Sequence, residues 1–140
     1  AVRGKRLSRH LNRITARTAE DDYLVEAEAV YLGDDLLVYI WGGERPHIGA
    51  VAAATPRPSL ADPEQRSATA SVLSYLGHKE DRVAQYAAET IAAALDTQAV
   101  VTAGIHWDDL GPEAIDIILS RCREIVDKLL AELQKEGATP

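Results

Sequence analysis

From Tyr23 onward the apolar residues recur at every second position, and only beyond Gly77 does their spacing lengthen to three and four. That change of period restricts the chain to strands first and helices later. Side chains alternate across a strand but return to one helix face about every 3.6 residues. Tyr23 to Leu32 reads as a strand carrying Glu26 and Glu28 on one side. Gly33-Asp34-Asp35 makes a turn, and Leu36 to Trp41 is a buried strand rich in β-formers. Gly42-Gly43-Glu44-Arg45-Pro46 turns the chain into a third strand over 47–54, and 67–76 reads as a fourth. Consecutive strands joined by short turns predict an antiparallel meander. Pro56, Pro58 and Pro63 predict a long loop over 55–66, of the kind that serves as a lid or binding segment.

Helical spacing then takes over. Val83, Ala87, Ile91 and Leu95 mark one stripe over 80–95, in a segment whose many alanines favour helix. Residues 98–105 form a fifth, nearly continuous apolar strand. Gly111-Pro112 opens a last helix over 112–135, along which Ile115, Ile118, Cys122, Ile125, Leu129 and Leu133 hold one stripe. The predicted order is β-β-β-β-α-β-α. The fold class is α/β, α+β-like in character: a single domain with a mixed, mainly antiparallel five-stranded sheet and two long helices packed on it. A final helix with so regular a stripe, in a chain with few large aromatics, predicts a homodimer or larger homo-oligomer.

Length and composition narrow the functional classes. At 140 residues, 46% hydrophobic and 26% charged, the chain fits one globular domain. A single cysteine, Cys122, excludes an internal disulfide framework and any multi-cysteine zinc motif. Within the last helix stripe it reads as a buried, inert thiol. No apolar run is long enough for a membrane span and no signal peptide is apparent, so a cytoplasmic protein without membrane attachment is expected. The net charge of −7 is unevenly spread. Residues 1–17 hold six basic side chains and no acid, whereas the remainder holds nine basic against 22 acidic ones. So acidic a body argues against a nucleic-acid partner, which basic patches would bind. The basic arm, 1–20, is set apart from a domain over 21–140. Leu7, Leu11 and Ile14 allow it a short amphipathic helix.

Topology then gathers the chemistry. A right-handed crossover makes the fourth and fifth strands parallel, and an antiparallel third strand brings its start to their ends. His47, His78 and His106 therefore converge at one sheet edge, where both long helices begin with unsatisfied N–H groups. Ligands of open α/β sheets favour such an edge. Singly, each residue has a plain structural reading: exposed histidines, Gly43 and Gly77 in tight turns, Asp81, Asp108 and Asp109 at helix starts. Together, three imidazoles with carboxylates suit a divalent metal, whereas imidazolium beside helix N-termini suits a phosphate. Spacing alone leaves both open. No HExxH, Walker loop or nucleophile elbow is present.

Five segments occur in an order that carries a resemblance: Gly42 through Val51, Pro58-Ser59-Leu60-Ala61-Asp62-Pro63, Ser67-Ala68-Thr69, Gly77-His78-Lys79-Glu80-Asp81 and Ala103-Gly104-Ile105-His106. Over about residues 23–130 the chain resembles the small LpdD-like family, known as the D subunit of gallate decarboxylase and as a prenylated-flavin chaperone. One local departure is Tyr75-Leu76, standing where a proline is expected. The resemblance implies an accessory protein that binds prenylated FMN and helps deliver or mature it into a UbiD-type decarboxylase, a cofactor chaperone more than an enzyme. Such a ligand needs a phosphate seat and a flat apolar wall. Helix N-termini, Arg45 and Arg57 suit the first. Trp41, Trp107 or Tyr75 suits the second, with the proline-rich loop as a lid. The expected binding set is His47, His78, His106, Arg45, Arg57, Trp107, Gly43, Gly77 and Asp108.

Two other readings compete. One is a small metal-dependent enzyme with His47, His78 and His106 as ligands and one open position. The other is a structural subunit of a decarboxylase, docking through the last helix. Metal and phosphate predict opposite pH trends: acid protonates metal ligands and weakens binding, but strengthens an imidazolium–phosphate contact.

Overall fold

A computed structural model of the chain describes residues 13–75 and 80–138. Among these residues five strands precede the first helix, and a sixth strand and a second helix follow it: β1 (Arg13–Arg17), β2 (Val25–Leu32), β3 (Asp35–Gly43), β4 (Ala50–Pro58), β5 (Arg66–Ser74), α1 (Asp81–Leu95), β6 (Ala99–His106) and α2 (Pro112–Ala138). The α/β class and the placing of both helices match the sequence reading. The strand count is six instead of five. The added strand is β1, formed by the last residues of the basic segment and paired antiparallel with β2. It replaces the end of the helix expected there: Ile14 enters the core, while Arg13 and Arg17 remain on the exposed side. Thr18 closes the turn, its backbone N–H donating to Val25 O while its hydroxyl accepts from Val25 N. Leu7 and Leu11 lie outside the described residues.

The sheet runs β1-β2-β3-β6-β4-β5. Only β3 and β6 are parallel neighbours; every other pair is antiparallel. The meander expected from β3 into β4 is therefore broken, because β6 inserts between them. β6 likewise pairs with β3 and β4 and not with β5, so the expected neighbours are one strand apart. Their directions nonetheless agree. The ends of β3, β5 and β6 and the start of β4 fall at one end of the sheet, called here the upper end.

The proline-rich segment differs most from expectation. Instead of a long loop, β4 continues through Pro58 and pairs with β5 down to Arg66. Pairing with β6 stops at Ala54, so below it β4 has a neighbour on one side only. Proline lacks the N–H that a second neighbour would need, and an edge tolerates that loss. Pro56 and Pro58, two residues apart, place their missing donors on the same side. A short turn closed by Ser59 N to Gln65 O (2.8 Å) completes the hairpin.

Both helices cover the same face. α1 packs on β4, β5 and β6, and α2 on β1, β2 and α1. Around α1 the contact is made of alanines: Ala84, Ala87, Ala88 and Ala92 meet Ala50, Ala52 and Ala103, all buried. Small residues let the helix sit close to the sheet, and Ile91 supplies the bulk. The half under α2 is filled by Val25, Val38, Ile40, Ile125, Leu129 and Leu133. From Ile118 to Leu133 the α2 stripe is thus consumed inside the chain, while Ile115 in its first turn stays exposed. Cys122 belongs to it, and burial pushes its thiol up to about 12, with Glu80 adding to the shift. It is an inert core residue.

Candidate functional site

The upper end is built around the close of β6. After β3 the chain passes through Gly43, whose φ of +85° favours glycine, and a Cβ there would lie 2.0 Å from His106 O. Residues 44–49 then fold along β6: Glu44 N donates to His106 O at 2.8 Å and Gly49 N to Ala103 O at 2.9 Å. Gly104 makes that approach feasible, since a Cβ on it would stand 1.5 Å from His47 O. This clasp lays Arg45 and His47 beside His106. The two imidazole centroids are 6.5 Å apart, nearly edge to face.

His47 is held from both sides. Its Nδ1 lies 2.8 Å from Arg45 O and its Nε2 lies 3.1 Å from Glu80 Oε1. A carbonyl oxygen only accepts, so Nδ1 carries a hydrogen. Glu80 precedes α1 and is 11% exposed; it also accepts from Ile105 N at 3.3 Å. Gly49 provides the space for that carboxylate, as a Cβ there would come within 2.4 Å of it.

His106 works differently. Its Nε2 lies 3.1 Å from the Arg45 guanidinium and 2.9 Å from Asp108 Oδ1, while Arg45 donates to the same Asp108 oxygen at 2.7 Å. One ring nitrogen cannot donate and accept at once. Protonated, it donates to Asp108; unprotonated, it accepts from Arg45. The hydrogen bond from His106, then the one from Arg45, holds the Asp108 carboxyl below its ordinary range. These side chains are 40 to 67% exposed, within reach of a solute.

Beside this cluster lies a cleft of about 310 Å³, walled by Trp41, Trp107, Pro46, Gly42 and Gly43. Trp107 is fixed by Nε1 donating to Asp22 O at 2.8 Å and by Tyr23, 6.0 Å away and tilted. Its rim is acidic, with Asp21, Asp22, Glu26 and Glu44. Arg121 of α2 binds Asp21 through both guanidinium nitrogens, at 2.6 and 3.0 Å, and lowers its pKa.

Of the residues expected to share a site, the structure gathers His47, His106, Arg45, Asp108, Trp107 and Gly43. His78 and Gly77 lie outside the described residues. Arg57 is not among the gathered set. Seven positions along β4 from Ala50, at about 3.3 Å each, it stands at the lower end and bonds Thr69 Oγ1 and Pro58 O. The proline-rich turn lies at that end too and is no lid for this site. Tyr75, 63% exposed, does not line the aromatic cleft. Glu80 was missed as a site residue, although it stands within Gly77-His78-Lys79-Glu80-Asp81. Among the described residues, no group of three or more His, Cys, Asp or Glu side chains is placed to hold a metal ion.

Two helices on one face of an open mixed sheet, with a charged and aromatic cluster at one end, define a small two-layer α/β domain. Residues 19–134 match the family described as the prenylated flavin chaperone LpdD-like domain, and the chain belongs to that family. The resemblance read from the ordered segments is thereby borne out. Protein LpdD of Lactiplantibacillus plantarum (strain ATCC BAA-793 / NCIMB 8826 / WCFS1) is 28% identical over 122 residues, covering 86% of this chain and 85% of that protein. A chain of a chaperone complex for yeast 20S proteasome assembly, known from its crystal structure, overlaps with TM-score 0.44 and 16% identity. That overlap covers 84% of this chain and 98% of the other. A likeness of that size carries no functional argument. Among the described residues, no helix is long and apolar enough to cross a membrane.

Proposed function

We propose that this protein binds prenylated FMN at the upper end of the sheet and hands it to a UbiD-type decarboxylase in the cytoplasm, working as a homo-oligomer. One observation carries the reading: Arg45 and His106 stand beside a cleft walled by two tryptophans. Arginine and imidazolium suit a phosphate, and indole faces suit a flat ring system. Both helices also begin at this end, which favours an anion further. Asp108 bonds both Arg45 and His106. A phosphate would displace it, and so reversible a seat suits a carrier that must release its cargo. The acidic rim repels a phosphate placed anywhere but at Arg45, which orients the ligand ring-first into the cleft.

Co-expression with a prenylated-FMN synthase tests this. The purified protein should show flavin-type absorbance and release a molecule with the mass of prenylated FMN. Arg45→Ala and His106→Ala should each lose most of it. Protein that purifies without flavin, and does not speed activation of the apo-decarboxylase, would end the proposal.

A further inference from the structure

Among the described residues the two helices leave the other sheet face uncovered, and its composition is unlike the rest of the molecule. Strand alternation places Tyr39, Thr102, Val51 and Leu73 in one row across β3, β6, β4 and β5, with Leu37 and Val100 in the row below. Leu73 is 77% exposed and Val100 37%. From Leu37 to Trp41 on β3, and across β6, β4 and β5, no acidic side chain stands on this face, although the chain holds 22 acids. Among the described residues of these strands its one arginine is Arg57, at the lower end, and His106 closes β6 at the upper end. Acids reappear only towards β1 and β2, where Glu26 and Glu28 pair with Arg17 and Arg13.

We propose that this face is the interface with a second copy of the same chain, packed sheet to sheet about a two-fold axis. Charge favours that occupant. Two copies of a chain with net charge −7 repel wherever acids meet, and this face brings no like carboxylates together across its centre. A basic partner would instead be drawn to the acid-rich remainder. The area lies near the lower limit for a specific dimer. Four strands about 4.8 Å apart and roughly 28 Å long give about 540 Å², against about 600 Å² on each partner for the smallest standard interfaces. The physical basis expected for oligomers, the α2 stripe, is buried within the chain from Ile118 to Leu133, which leaves the sheet face, with Leu73 and Val100 exposed, as an apolar surface built of strands. Trp41 stands at its upper rim, so the second copy borders the aromatic cleft.

Sedimentation velocity on flavin-free protein tests this separately from cofactor binding. The full chain should sediment as a dimer of its 15.2 kDa mass and dissociate on dilution. Val100→Glu, which sets two carboxylates face to face near the centre, should give a folded monomer by circular dichroism. Leu73→Ser, at an exposed position that cannot disturb the core, should weaken the dimer about tenfold. Leu119→Glu, on the exposed side of α2, should leave it unchanged. A wild-type monomer at the highest concentration would overturn the proposal. So would a dimer indifferent to Leu73→Ser, or one broken by Leu119→Glu.

Discussion

Arginines and carboxylates gather at both ends of the sheet, yet they do different things there. At the lower end they bind main chain. Arg66 donates to Ala93 O and Ala94 O, the last carbonyls of α1, and lies 3.7 Å from Asp96. Thr97 closes the same corner onto Asp34 O. Each contact satisfies a group that the end of a helix or strand leaves open. At the upper end charged side chains chiefly meet one another: Arg45 with Asp108 and His106, and His47 with Glu80. The first arrangement fixes a fold. The second keeps cations in reserve, because a side chain paired with another side chain can exchange it for a ligand without unfolding anything.

The largest test of that contrast is Gly104→Ala. The new methyl would sit 1.5 Å from His47 O, backbone that cannot give way without moving the whole 44–49 clasp. Overpacking of this kind costs about 3 kcal/mol, and the shift should also separate His47 from His106. Denaturant unfolding and flavin retention should therefore fall together. If either stays at the wild-type level, the clasp is not what assembles the upper end.

Next in size is Arg66→Ala. Losing the donors to the α1 carbonyls should cost about 1 kcal/mol in unfolding experiments, while flavin retention remains unchanged. Arg45→Ala and His106→Ala should reverse that pattern. Both side chains are well exposed, so stability should move within about 0.5 kcal/mol, but cofactor retention should drop about tenfold. A stability loss at Arg45 as large as at Arg66 would erase the distinction between the two ends.

Much of this contrast was legible from residue order. The lengthening of apolar spacing beyond Gly77 located both helices. The directions of the third, fourth and fifth predicted strands brought His47 and His106 to one end. Four features escaped, each for a physical reason. Arg13-Ile14-Thr15-Ala16-Arg17 has one large apolar residue among basic ones, which suits a short edge strand but resembles a mobile arm. Pro56 and Pro58 signal a loop unless the strand is known to lack a neighbour there, and that depends on where β6 stops. Arg57 was misplaced as a consequence, because a loop can return to the site whereas a strand carries it away. The insertion of β6 between β3 and β4 is a long-range pairing that no local pattern encodes. Glu80 had a usable signal, an acid following Gly-His-Lys at a helix start, but its contact with His47 appears only in three dimensions.

The smallest expected effect lies in Asp108, and it probes the reserve directly. His106 and Arg45 hold this carboxyl below the ordinary value of 3.8. A group whose folded value is depressed adds stability once pH exceeds the unfolded value, and loses it as pH falls through the folded one. Thermal melts taken downward from about pH 5 should therefore show a slight destabilisation whose onset lies near the ordinary carboxylate range. The change is small because Asp108 is half exposed and solvent and salt screen its partners. Asp21, depressed by Arg121, has the same sign, so Asp21→Asn should serve as the background. A carbon-detected titration of the Asp108 carboxyl isolates the site itself. Its midpoint should rise towards 3.8 in Arg45→Ala and in His106→Ala, and stay put in Arg57→Ala at the other end of the sheet. An ordinary midpoint in the parent chain would mean that Arg45 and His106 are not engaged by Asp108, and the cations would then stand open to any anion instead of being kept for one.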